Sequence, residues 1–245
     1  MGALSNLLAG GPEKLIAPGV WQLAGGLGHT MNVYLIEEPG GGVTVFDAGV
    51  EVMAPAILAA GARLGGIKRV VLGHADCDHR GAAPGLGAPV YVHPLEVEAA
   101  RSPAVRRHYW NLELLAPWVR PLYAHLFFKD WDGGPVEVAG TLEEGDTVAG
   151  FRVVDLPGHA PGLIGLFREE DRLALVSDLI YTLNVETFLP GKPRVPHPAF
   201  NHDTDQARES VGKLAAQGPQ AVWTGHTHPV SGTDVPAQLM EAAKV

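Results

Sequence analysis

The chain holds one cysteine, Cys77, among 245 residues. No intramolecular disulfide can staple it, and no thiolate cluster can build a structural zinc site. Positive charge is scarce: 18 Lys and Arg against 27 Asp and Glu leave a net charge of −9. Without a basic run, nucleic acid is not expected as a partner. No apolar stretch approaches the roughly 18 residues of a membrane span, so no membrane association is expected either. Low-complexity tracts and short-period repeats are missing, and 46% hydrophobic with 18% charged residues excludes disorder. The apolar segment Leu4–Ala9 is short, and no Lys or Arg precedes it, so it makes a poor signal peptide. The expected location is the cytoplasm.

What is present is a chain long enough to bury a sizeable core, expected as one domain over 1–245. Asn32–Glu37, Val43–Asp47, Arg69–His74, Val90–His93, Phe151–Leu156, Leu163–Phe167, Arg172–Ser177 and Ala221–Thr224 read as short strands. They are rich in Val, Leu, Ile and Phe and bounded by Gly, Pro or Asp. Val52–Leu64, Pro94–Arg101, Thr204–Gln217 and Pro236–Lys244 read as helices, the third opened by Asp203 and stopped at Gly218-Pro219. Strands in both halves with interspersed helices predict an α/β sandwich of two sheets flanked by helices. One segment departs from this style. Pro103–Trp131 carries three Trp, two Tyr, two Phe and two His, within an insertion of about 94–131. It reads either as a helical insertion burying its own aromatics or as a lid over an apolar substrate pocket.

The densest chemistry is Val70-Val71-Leu72-Gly73-His74-Ala75-Asp76-Cys77-Asp78-His79, a buried-strand run ending in four potential metal ligands within six residues. Imidazole with carboxylate suits zinc, iron or manganese better than calcium, which prefers all-oxygen shells. Four other loops follow strand-like runs and carry Asp47, His159, Asp178 and His226. Each alone reads as a turn former or capping residue; in this order they form one pattern.

From Asn32 to about Pro229 the chain resembles the metallo-β-lactamase-fold superfamily of binuclear metallohydrolases. The family's second motif is His-x-His-x-Asp-His, and here it reads His74-Ala75-Asp76-Cys77-Asp78-His79. The resemblance implies a four-layer αββα fold with two divalent metal ions. His74, Asp76 and His159 would hold the first ion; Asp78, His79 and His226 would hold the second, with Asp178 bridging. Asp47 would brace the ligand loop from behind, and His228 would lie beside the site or at the surface. The implied chemistry is hydrolysis by a metal-bridging hydroxide, with Asp78 carrying a proton to the leaving group.

Asp76 departs from the family pattern, which has His there. It is a ligand that makes the site more anionic, or it reaches poorly and leaves the first site weak, or the centre is degenerate. Retention of the six other ligands favours the first reading. Zinc is the leading expectation, with iron or manganese favoured by the extra carboxylate; flavodiiron relatives carry a carboxylate at this position and bind iron. Cys77 is read as a buried filler. Among the branches, glyoxalase II-like thioesterases carry a C-terminal helical domain, and only 19 residues follow His226 here. True β-lactamases of the fold lack the bridging Asp, RNA-processing relatives need basic surfaces, and flavodiiron proteins need a flavodoxin module. Quorum-quenching lactonases fit best in layout, with a Tyr three residues past the bridging Asp, as in Asp178-Leu179-Ile180-Tyr181. Tyr181 would donate to a lactone carbonyl or its oxyanion, or pack as a loop aromatic. The loop Phe188–Phe200, with Arg194, His197 and four Pro, borders the pocket or serves as a rigid connection. The expected function is hydrolysis of a small-molecule ester, lactone or related acyl bond. The alternatives are a thioester or phosphodiester hydrolase, or a non-hydrolytic diiron or metal-binding protein. The expected partner is a small molecule, and assembly as a homodimer is compatible with the sequence.

Overall fold

The computed structural model describes residues 10–124 and 131–245. The segment Leu4–Ala9 and residues 125–130 of the expected insertion lie outside the described residues. Two compact units divide the chain: 10–106 with 131–142, and 107–124 with 143–245.

The first unit is built on a seven-stranded sheet in sequence order: β1 (Lys14–Ala17), β2 (Val20–Gly25), β3 (Met31–Glu37), β4 (Val43–Phe46), β5 (Ile67–Val71), β6 (Val90–Val92) and β7 (Val138–Thr141). β1 to β4 pair antiparallel; β4 to β7 pair parallel. Helix α1 (Ala54–Arg63) buries Ile57, Ala60 and Gly61 at helical spacing. Ile57 and Ala60 join Val33, Leu35, Val45, Val70 and Leu72 in one core. Because β4, β5 and β6 run in one direction, the loops after them leave the same end of the sheet. Asp47, residues 73–79 and Glu96 sit on those three loops, the usual place for a site in such sheets. The single-turn α2 (Cys77–Arg80) follows β5, and α3 (Val97–Arg101) follows β6.

The second unit holds a five-stranded sheet of order β14-β11-β10-β9-β8. Its strands are β8 (Thr147–Val148), β9 (Phe151–Asp155), β10 (Ile164–Arg168), β11 (Leu173–Leu175) and β14 (Ala221–Trp223). β9 and β11 both pair antiparallel with β10, and β11 pairs parallel with β14. β9, β11 and β14 therefore share a direction, and His159, Asp178 and His226 all lie past their C-terminal ends. Helix α5 (Thr204–Ala216) is capped by Asp203, whose carboxylate accepts from Asp205 N and Gln206 N. It packs Ala207, Val211 and Leu214 onto Val154, Phe167 and Val222, and α6 (Val235–Ala242) adds Leu239 to the same core.

The sequence reading missed β1, β2, β7, β8 and a two-stranded ribbon. Pro18-Gly19, with Gly19 at φ 67°, turns β1 into β2. β12 (Tyr181–Leu183) pairs with β13 (Pro190–Arg194) inside the segment read as a loop. Pro190 and Pro193 are tolerated because the ribbon has two strands and its outer edge needs no donors. The helical content of 103–124 is confined to a 3₁₀ turn at Leu112–Leu114 and to α4 (Arg120–Leu122) with the turn that follows it. Its aromatics split: Tyr123 is buried, whereas Trp118 is 60% exposed. No helix among the described residues is long and apolar enough to cross a membrane.

Candidate metal centre

In the first unit the expected ligands sit on one tight loop. His74, Asp76 and His79 are buried, and Asp78 keeps 14% of its side chain exposed. Asp76 stands at the N-cap of α2 yet makes no side-chain cap bond. Its Oδ2 lies 3.4 Å from His74 Nε2 instead. Two atoms each about 2.0–2.1 Å from one ion, at tetrahedral angles, stand about 3.3 Å apart. The shorter carboxylate therefore reaches a position from which it and His74 fit a single ion. His79 Nε2 lies 3.9 Å from Asp78 Oδ2.

Asp47 holds this loop from below. Its Oδ1 accepts Gly73 N at 2.7 Å, and its Oδ2 accepts the Nδ1–H of His79 at 2.9 Å. Asp47 is fully buried at φ 58°, a left-handed conformation that Asp adopts more readily than most residues. With the ring proton on Nδ1, the lone pair of His79 is on Nε2, the state a metal ligand needs.

Three further braces in this unit escaped the sequence reading. Glu96, fully buried, accepts Ala75 N between the two expected ligands His74 and Asp76. Arg80, 1% exposed, grips the Asp132 carboxylate with Nε and Nη2, both at 3.0 Å, and donates from Nη1 to Ala99 O and Ala100 O. A four-residue helix has little stability of its own; the guanidinium ties it to α3 and to the segment before β7. Gly81 is required, because a Cβ there would run into Trp131 O. Cys77 is buried, and burial followed by the neighbouring Asp78 and Asp76 carboxylates pushes its thiol well up. Its burial agrees with the expected filler.

In the second unit three residues converge on one carboxylate oxygen. Asp178 Oδ2 lies 3.5 Å from His159 Nε2, 3.3 Å from His226 Nε2, and accepts from Tyr181 Oη at 2.8 Å. His159 follows Gly158, which has φ 135° and whose missing Cβ would strike the backbone of Ala207 in α5. No other residue fits there. The His159 ring Nδ1 donates to Asn201 Oδ1 at 3.1 Å. Ser177 and Thr227, flanking Asp178 and His226, also carry positive φ of 47° and 56°. Gly225 N donates to Ser177 O, and Thr224 Oγ1 donates to His226 O. Thr182 Oγ1 bonds both N and O of His228, whose exposed side chain points to the surface. Tyr181 meets His226 edge-on at 5.1 Å.

The aromatic segment and the 185–202 loop hold each other. Tyr123 Oη donates to Val185 O, Asn111 N to Ala199 O, and Ala116 N to the Glu186 carboxylate. His197 is half-buried; burial pushes it below its ordinary value, against the pull of Glu186 and with Arg194 adding to the drop. Its Nδ1 accepts Ala199 N, which only the deprotonated nitrogen can do.

Residues 28–226 match the metallo-beta-lactamase superfamily, and the chain belongs to that superfamily. It is 30% identical over 239 residues to the probable metallo-hydrolase YflN of Bacillus subtilis (strain 168), covering 86% of each chain. The metallo-beta-lactamase family protein TTHA1429 from Thermus thermophilus superposes with a TM-score of 0.67 at 25% identity, over 94% of this chain and 80% of that one. TTHA1623, solved in a di-iron-bound form, gives 0.59 at 27% identity, over 86% and 92%. The fold is thus the α/β metallo-beta-lactamase fold, with buried His and Asp residues suited to divalent metal.

Proposed function

We propose that this chain is a metal-dependent hydrolase of a small-molecule ester, lactone or related acyl bond. Its two divalent ions are assigned to His74, Asp76 and His159 and to Asp78, His79 and His226, with Asp178 shared. The joint assignment rests on the motif order of the family. The observation that carries it is the convergence of His159 Nε2 and His226 Nε2 on one oxygen of buried Asp178, at 3.5 and 3.3 Å. Such separations suit ligands of common ions, and buried carboxylates are otherwise costly to keep together.

When bound, divalent ions supply Lewis acidity and an activated water at neutral pH. The side chains do the rest. Asp47 and Asn201 each accept from a ring Nδ1–H and so fix the Nε2 lone pairs of His79 and His159. Asp78, the most exposed carboxylate of its loop, can receive a proton and pass it to the leaving group. Tyr181 Oη donates a hydrogen bond to Asp178 Oδ2, so it steadies that carboxylate and can turn to an oxyanion only by exchanging this bond. Asp76 adds a negative charge that favours iron or manganese beside zinc; the di-iron form of TTHA1623 supports keeping iron in view. A net charge of −9 favours a small molecule over nucleic acid as partner.

The test is a hydrolysis panel of lactones, esters, thioesters and phosphodiesters, run on protein reconstituted with zinc, iron or manganese. Turnover of esters or lactones, lost on chelation and restored by metal, is the expected result. Iron uptake with no turnover across the panel would favour the non-hydrolytic diiron reading instead.

A further inference from the structure

Asn201 was not marked by the sequence, lies between the expected site and the aromatic segment, and is 6% exposed. Its amide orientation is set from behind: Nδ2 donates to Pro196 O at 2.8 Å and to Thr204 Oγ1 at 3.1 Å. That leaves Oδ1 facing the His159 ring at 3.1 Å. A carbonyl oxygen only accepts, so Nδ1 carries a proton, and in the neutral ring the lone pair is then on Nε2. Nε2 is the atom 3.5 Å from Asp178 Oδ2. With the other tautomer, His159 would present an N–H where a ligand needs a lone pair.

The turn carrying Asn201 is itself clamped. His202 N donates to His159 O and Asp203 N to Gly158 O, so the two loops are zipped by backbone beside the ring contact. Phe200, 5% exposed, packs edge-on to Trp110 at 5.6 Å and against Tyr123 at 5.0 Å. Asn111 N closes the contact on Ala199 O.

We propose that Asn201 is a positioning residue that fixes the tautomer and direction of His159, and that residues 107–124 serve as its brace. The proposal rests on the reading of His159 as a metal ligand. It gives the aromatic insertion a task beyond covering a pocket: it holds the loop that aims one ligand.

The experiment uses full-length protein labelled with ¹⁵N in its histidines and stripped of metal. Ring nitrogen spectra report the His159 tautomer, zinc alone is titrated against a chromogenic chelator, and urea unfolding records stability. Wild type is expected to show the Nδ1–H tautomer, and His159→Ala to lose about one zinc. Asn201→Leu is expected to give mixed tautomers and zinc affinity lower by about 10–100-fold at that site. Asn201→Asp, which keeps an acceptor oxygen, should restore the tautomer and bring affinity within about threefold of wild type. Phe200→Leu should shift both readouts in the same direction as Asn201→Leu, by less. Should Asn201→Leu not fold, Asn201→Ala, which also removes the acceptor oxygen, takes its place. A wild-type tautomer and affinity in the Leu or Ala variant overturns the proposal, as does equal loss in Asn201→Asp. If His159→Ala binds as much zinc as wild type, the metal reading itself fails and the proposal falls with it.

Discussion

Replacing Asp47 by Asn keeps the shape of a buried side chain and removes its charge. The structure specifies the consequence. The carboxylate accepts from two donors on the ligand loop, Gly73 N at 2.7 Å and His79 Nδ1 at 2.9 Å. An amide can accept at only one of its two positions. The backbone N–H of Gly73 cannot reverse its role, so the Asn oxygen stays with it and the NH₂ group faces His79. Two donors then oppose each other, and the ring relieves the clash by moving its proton to Nε2. The lone pair on that nitrogen is lost, and with it the ability of His79 to bind an ion. A charge-assisted hydrogen bond contributes about 1.5–3 kcal/mol. Losing an outer partner of a ligating His weakens metal binding about 10–100-fold, or about 1.4–2.7 kcal/mol. The two routes give the same scale. Competition between the protein and a chelator for zinc, with urea unfolding of the metal-free protein alongside, measures both effects. Zinc binding by Asp47→Asn within about threefold of wild type would refute the reasoning.

Three further predictions concern individual side chains. Asp76→Ala should lose about one metal per chain by elemental analysis, and Asp76→His should keep two; full retention in the Ala variant would show that Asp76 is not a ligand. Tyr181→Phe should lower turnover by about 10²-fold if the hydroxyl reaches an oxyanion, whereas a change confined to metal affinity would mark it as a brace for Asp178; no change in either leaves a packing residue. Burial holds His197 below its unfolded value of about 6.5, so the unfolded chain binds its proton more readily. The stability it contributes is complete above about pH 6.5 and is lost as pH falls through the depressed folded value. Urea unfolding between pH 8 and 5 should show that loss in wild type and a smaller one in His197→Gln; parallel profiles would contradict it.

The parts legible in the sequence share one trait: they depend on local pattern. Val43–Phe46, Val70-Val71-Leu72 and Ala221–Trp223 announce themselves as apolar runs followed within two residues by Asp or Gly. The His74–His79 loop carries its own spacing, and Asp203 caps α5 as its position suggested. The braces were not legible, because each is a long-range partner whose residue type is ordinary. Nothing around Asn201 says that it meets His159, 42 positions earlier. Glu96 falls within the expected helix Pro94–Arg101 with nothing to single it out, yet it is buried and accepts Ala75 N. Arg80 had one usable signal, a charge directly after the ligand motif, but its partner Asp132 is 52 residues away. The β12–β13 hairpin stayed hidden because Pro argues against a strand, and only a ribbon edge makes it acceptable.

The central claim is a binuclear metal centre, and counting metal tests it most directly. Wild-type protein reconstituted with zinc, dialysed and analysed for elemental content should hold two ions per chain, and Asp178→Ala should hold fewer. Two ions in wild type with that loss is the predicted result. A wild-type chain that retains no metal, or an Asp178→Ala variant that retains both ions, would contradict the account.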